Sequence, residues 1–121
     1  MNINEIIENV FADFIFEDQK IPIAPNFYDG DAMTYLVYYT ESIEPDEFAD
    51  DMPVAEITSG TIDIFTNKNY KNLKKEVKKK IVKECGFTWI GDEKEDYEEE
   101  TKLWHIPINF VVGSNTTFLN D

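Results

Sequence analysis

The chain has 121 residues and a net charge of −14, with 25 acids against 11 basic residues that are all lysine. One domain is the expectation at that length, with enough chain to bury roughly two-thirds of the surface its unfolded form exposes. Arginine, the usual side chain for bidentate phosphate and base recognition, is absent. With the acid excess, that argues against sequence-specific nucleic-acid binding.

Cys85 is the only cysteine, so no internal disulfide can form, which fits a reducing compartment. The N-terminus, MNINEIIENVF, has no cationic region followed by an apolar run, so no secretory signal is expected. No stretch reaches the roughly 18 apolar residues of a membrane span, and no membrane partner is expected.

Ile3, Ile6, Ile7, Val10, Phe11, Phe14 and Ile15 recur at spacings of three and four and predict an amphipathic helix over residues 3–16. Asn2 with Glu5 three positions on resembles a capping box at its start. Residues 20–25 (KIPIAP) read as a short extended edge piece, because Pro22 and Pro25 lack amide donors. Asn26–Asp31 is a turn with Gly30 as its left-handed residue, and Thr34–Thr40 is a strand dense in β-formers.

Residues 41–53 hold six acids and two prolines and read as a solvated loop that Phe48 and Met52 anchor to the body. A strand over 54–66 follows. Its apolar parity shifts between Ala55/Ile57 and Ile62/Ile64, which predicts a β-bulge at Gly60. Asn67 or Asn69 caps a second helix that runs to about Glu84 and stops at Gly86. Its buried stripe is Tyr70, Leu73, Val77, Ile81 and Cys85, with Val82 alongside.

Phe87–Ile90 reads as a short strand with Phe87 and Trp89 on one face. Residues 91–100 read as a loop with seven acids. In Leu103–Val112, Trp104, Ile106, Ile108, Phe110 and Val112 alternate without a break and mark the clearest strand. The domain therefore spans 1–112, and 113–121 is a polar tail. The element order predicts an α+β fold: an antiparallel or mixed sheet of about four to five strands with two helices packed on one face.

Residues 71–84 carry seven lysines and two acids on a chain that is otherwise acidic. A solvated helix face is one reading. A cationic face that meets an acidic face of a neighbouring copy is the functional one. The candidate interface residues are Lys71, Lys74, Lys75, Lys78 and Lys79, with Glu47, Asp50, Asp51, Glu95, Glu98 and Glu99 as their acidic counterparts. Such a head-to-tail contact closes into a ring.

Chemistry of other kinds finds little support. Asp29-Gly30-Asp31 and Asp50-Asp51 lack the ligand alternation of a calcium loop, so no metal is expected. His105 is the sole histidine and sits on the strand face opposite Trp104 and Ile106, a structural place. Cys85 reads as a small buried hydrophobe. No nucleophile elbow or phosphate-cradling glycine loop is present, so neither an enzyme nor a cofactor is expected.

Taken together, the N-terminal amphipathic helix, the turn from Phe27 to Gly30 into Thr34-Tyr35-Leu36-Val37-Tyr38-Tyr39, the strand ending Ile62-Asp63-Ile64-Phe65 that runs into a helix, the stop at Gly86-Phe87 and the last strand with Leu103-Trp104-His105-Ile106-Pro107-Ile108 resemble tail terminator proteins of long-tailed bacteriophages, also called tail completion or minor tail proteins. The likeness spans about residues 3–112. It implies a hexameric ring that caps the tail tube and joins it to the head-proximal connector. The places implied are the host bacterial cytoplasm during assembly and then the virion tail, and the family brings no catalytic site. An acidic lumen suits passage of DNA without sticking. A neck or head-tail connector is the nearest alternative. An acidic DNA-mimic inhibitor of a nucleic-acid-handling enzyme is the rival from another class.

Overall fold

The computed structural model describes residues 2–43, 55–92 and 94–115. The first helix, α1, covers Ile3–Phe11 and is capped by Asn2, whose Oδ1 accepts a hydrogen bond from Glu5 N at 3.2 Å. It is shorter than its apolar stripe predicts. The chain turns at Ala12–Asp13 and forms a hairpin of β1 (Ile15–Phe16) and β2 (Gln19–Lys20). Glu17 and Asp18 form its two-residue turn with φ of 52° and 66°, the left-handed pair that a tight hairpin requires. Phe14 still reaches the core from the turn, edge-on to Phe11 with centroids 5.6 Å apart, whereas Ile15 is 63% exposed.

Strand β3 (Ile23–Pro25) pairs in parallel with β4 (Thr34–Ile43) and lies at the sheet edge, as its prolines require. Between them, Asn26 takes the left-handed conformation at φ 68°, not Gly30. Gly30 is needed for space: a β-carbon there would lie 2.2 Å from the Tyr28 hydroxyl oxygen that passes over it. That hydroxyl also accepts a hydrogen bond from Ala32 N at 3.1 Å.

Strand β5 (Ala55–Thr66) pairs antiparallel with β4 on one side and β8 (Leu103–Asn115) on the other. Both ladders pass Gly60 without a register shift, so the predicted bulge is not there. Gly60, Ile62, Ile64 and Thr66 are buried on the inward face, and Ile57 falls on the opposite one. The glycine serves close approach instead. A β-carbon on Gly60 would lie 2.3 Å from the Tyr39 carbonyl oxygen and 2.8 Å from the Phe110 ring.

Helix α2 (Lys71–Lys79) continues as a π-helical turn, Lys80–Glu84, closed by Cys85 N on Lys80 O at 2.8 Å. Of the two asparagines expected to cap it, Asn69 accepts a hydrogen bond from Lys71 N at 3.0 Å. Gly86, at φ 77°, ends the helix as expected, and Phe87 N bonds back to Ile81 O at 3.0 Å.

Strand β6 (Thr88–Asp92) pairs with the C-terminal half of β8, and its bulge lies between Trp89 and Gly91. The acidic stretch expected to be a loop contains a further strand, β7 (Asp96–Glu98), on the N-terminal half of β8. Pro107, in the middle of β8, lies opposite the break between β6 and β7, where its missing donor leaves no ladder bond unmade on that side. β8 runs to Asn115, past the expected end at Val112. The expected loop around Phe48 and Met52, and the end of the tail, lie outside the described residues.

The result is a mixed six-stranded sheet in the order β3-β4-β5-β8-β6, with β7 also on β8, plus the small hairpin. Both helices cover one face. Ile7 and Phe11 of α1, Leu73 and Val77 of α2, and Ile81 of the π-helical turn pack on Leu36, Tyr38, Ile62, Ile64, Ile106, Ile108, Phe110 and Val112. This is the α+β arrangement expected, with the core between the layers.

Substituting Gly60→Ala must move either the Tyr39 backbone or the Phe110 ring. Overpacking of this kind costs about 1–3 kcal/mol. The expected outcome is a lower urea midpoint than wild type. Gly113→Ala, where a β-carbon meets nothing within 4 Å, should leave the midpoint nearly unchanged.

Candidate functional site

Burying Leu73, Val77 and Ile81 turns the lysines of α2 outward. Lys71, Lys75 and Lys79 recur at every fourth position and are all exposed. Lys74 and Lys78 lie lower on the flank and are half-buried. Lys74 Nζ donates to Glu95 Oε2 at 2.7 Å, and Lys78 Nζ sits 3.9 Å from the centre of the Trp89 ring. The first turn of α2 holds no acid, so its helix dipole and its lysines add in the same direction and favour anions. A groove of about 440 Å³ opens here, lined by Tyr70, Lys71, Asn72, Lys74, Lys75, Lys78 and Glu95.

Of the predicted acidic counterparts, Glu95 is thus brought onto the lysine helix of its own chain. Glu98 lies elsewhere, on the sheet face away from the helices, where its side chain accepts a hydrogen bond from Thr101 Oγ1 at 2.9 Å. Glu99 is exposed in the turn between β7 and β8. Glu47, Asp50 and Asp51 lie outside the described residues.

The sheet face opposite the helices carries a row of stacked rings that sequence reading did not reveal. Tyr28 lies on Tyr35 at 4.2 Å between centroids, Tyr35 on Phe65 at 4.9 Å, and Phe65 on His105 at 4.4 Å, with the last pair 9° from parallel. The register Tyr35↔Phe65↔His105 across three strands places these rings side by side. His105 lies between two carboxylates: Nε2 is 3.3 Å from Asp63 Oδ2, and Nδ1 is 3.9 Å from Glu98 Oε2. Asp63 Oδ1 and His105 Nε2 are buried without a hydrogen-bond partner among the described residues. Burial pushes the Tyr35 phenol up from its ordinary value, with the charge of Glu98 and then Tyr28 adding to the effect. Asp29 and Asp31, the acidic pair flanking Gly30, are both exposed. Among the described residues no group of three or more His, Cys, Asp or Glu side chains is placed to hold a metal ion.

A third surface comes from α1. Its acids, Glu5 and Glu8, are both exposed, and so is Asp13 just past its end. Tyr38 Oη of β4 donates to Glu8 Oε2, and Thr40 Oγ1 donates to Asn4 Oδ1 at 2.9 Å, so α1 is tied to β4. Beside it lies a largely apolar groove of about 370 Å³, lined by Glu8, Phe11, Ala12 and Tyr38 and by Lys20, Ile21, Pro22, Ile23 and Pro25. The sequence signal for this surface was available: Glu5 and Glu8 stand three apart, a spacing that puts both on one side of a helix.

Cys85 is half-buried, and burial pushes its thiol up to about 11, with Glu84 adding and Lys80 opposing. At neutral pH it is a protonated thiol that packs against the core, as its place on the apolar stripe suggests. The sequence matches no family model and no curated protein.

Burial pushes the Tyr38 phenol up to about 12, and its bond to Glu8 and the charge of that carboxylate add to the shift. The unfolded phenol ionises near pH 10, so this contribution to stability is present below about pH 10 and is lost as the pH rises through 12. In Tyr38→Phe the alkaline loss of stability between those values should shrink. At neutral pH the variant should lose about 1 kcal/mol, the usual size for one hydrogen bond. Urea titrations across the alkaline range measure both effects.

Proposed function

We propose that the chain is an assembly subunit that acts by head-to-tail self-association into a ring, a tail terminator of the long-tailed bacteriophage type. The observation that carries the reading is the placement of charge. One helix presents a regular cationic row on a chain that is otherwise strongly acidic, so two copies attract only in certain orientations. An acidic patch meeting a cationic patch is a heterologous contact, which repeats from copy to copy until the rotation closes.

The same charge balance suits the terminator reading. An acidic chain lining a channel leaves DNA unbound as it passes. The ring then caps the tail tube protein and offers its other surface to the head-proximal connector, and it works through fit with no reaction of its own. The sequence resemblance supports this choice among ring-forming proteins, over a range that covers both helices and most of the sheet.

Native mass spectrometry of the concentrated protein should give one closed oligomer, and negative-stain images should show rings. Exposed charge pairs weaken as added salt shortens the screening length from about 10 Å at 0.1 M to about 3 Å at 1 M. The oligomer should therefore dissociate over that range. A protein that stays monomeric at high concentration and low salt refutes the reading.

A further inference from the structure

The two charged helices meet where the second one ends and lean toward opposite edges of the sheet. α1 is bound to β4 through Tyr38–Glu8 and Thr40–Asn4, on the side where β3 forms the edge. α2 lies toward β6, the edge strand on the other side, where Lys78 reaches the Trp89 ring. Each helix turns its charged side outward. On α1, Glu8 and Ala12 already face the groove beside β3. At about 100° per residue Glu5 falls on the same side as Glu8, and Asp13 follows Ala12 in the turn that ends the helix. On α2, Lys71 and Lys75 share the outer surface with the flank that holds Lys78.

We propose that the acidic surface of α1 in one copy docks on the lysine row of α2 in the next, joining the β3 side of one domain to the β6 side of its neighbour. The inference rests on the ring reading and names the contact within it. The acids run from Glu5 through Glu8 to Asp13, and the lysines from Lys71 through Lys75 to Lys79, eight positions in each case. Eight residues of helix rise about 12 Å, which sets the length of the lysine row, while the acids begin on α1 and end just past it in the turn at Asp13.

Shape adds a second match. The apolar groove beside α1 lies next to these acids, with Lys20 as the cation in its lining. Past the lysine row, in the turn that ends the same helix, Val82 is 44% exposed, and Ile90, next to Trp89 at the β6 bulge, is 57% exposed. A neighbour's groove can take these side chains while the charges pair around them, giving an apolar centre with a polar rim.

Charge reversal tests the contact. The α1 variant is Glu5→Lys with Asp13→Lys, which leaves the Glu8 bond to Tyr38 in place. The α2 variant is Lys71→Glu with Lys75→Glu. All four positions are exposed, and circular dichroism checks that each variant folds. Each alone should weaken self-association about tenfold or more, as like charges meet. An equal mixture of the two, or a chain carrying all four changes, should regain the wild-type oligomer, because opposite charges face each other again.

An α1 variant that assembles like wild type overturns this contact and leaves the ring standing. So does a four-substitution chain that folds but stays dissociated. A wild-type protein that never assembles removes the ring reading itself, and the contact with it.

Discussion

Strict alternation along β4, β5 and β8 is the constraint on which the rest of the structure depends. Because the ladders between these three strands hold register over their whole paired length, every second residue faces the helices. A slip of one position would exchange Ile62, Ile64, Ile106 and Ile108 for Thr61, Asp63, Phe65 and His105. The two faces are therefore chemically distinct. One is an apolar floor for α1 and α2, and the other is a field of aromatic rings and carboxylates. Gly60 serves the same register, since only a residue without a side chain fits between the Tyr39 carbonyl and the Phe110 ring.

Once the floor is set, the helices have little choice of orientation. Each must put its apolar stripe down, and its charges then emerge where the stripe ends. The lysines of α2 and the acids of α1 are thus surface features dictated by core burial. Their positions at opposite margins of the sheet follow from the strand order, with β4 carrying one helix and β8 with β6 carrying the other. The stacked row from Tyr28 to His105 stiffens the far face and pins the β3–β4 crossover, leaving the helix layer and the two margins as the surfaces that differ most in charge.

Much of this was legible in the sequence because burial leaves a periodic mark. The stripes of α1 and α2, the alternation in β8 and the stop at Gly86 all record which side of an element meets the core. Other features leave no such mark. Phe14 keeps the helical spacing of α1 although it enters the core from a turn, so the stripe overran the helix by several residues. The Glu17–Asp18 turn lacks the Asn-Gly or Asp-Gly pair that marks a two-residue hairpin, so the hairpin leaves no signal in the sequence. In β7, Asp96 and Glu98 project from the sheet while Tyr97 packs on Trp104 at 5.2 Å. A three-residue strand with one inward side chain looks like an acidic loop. The row of rings needed the pairing of distant strands, which no local pattern encodes.

The bulge at Ile90 has one further effect. A straight, evenly spaced outer strand is a template on which any extended peptide can polymerise, and a sheet with two such margins invites endless fibres. Here one margin is kinked at Ile90 and broken again before Asp96, while the other is a three-residue piece that ends in proline. Among the described residues, foreign backbone finds no long continuous ladder to copy along either margin. Any contact with another chain along these margins then falls to side chains, which discriminate as amide groups cannot.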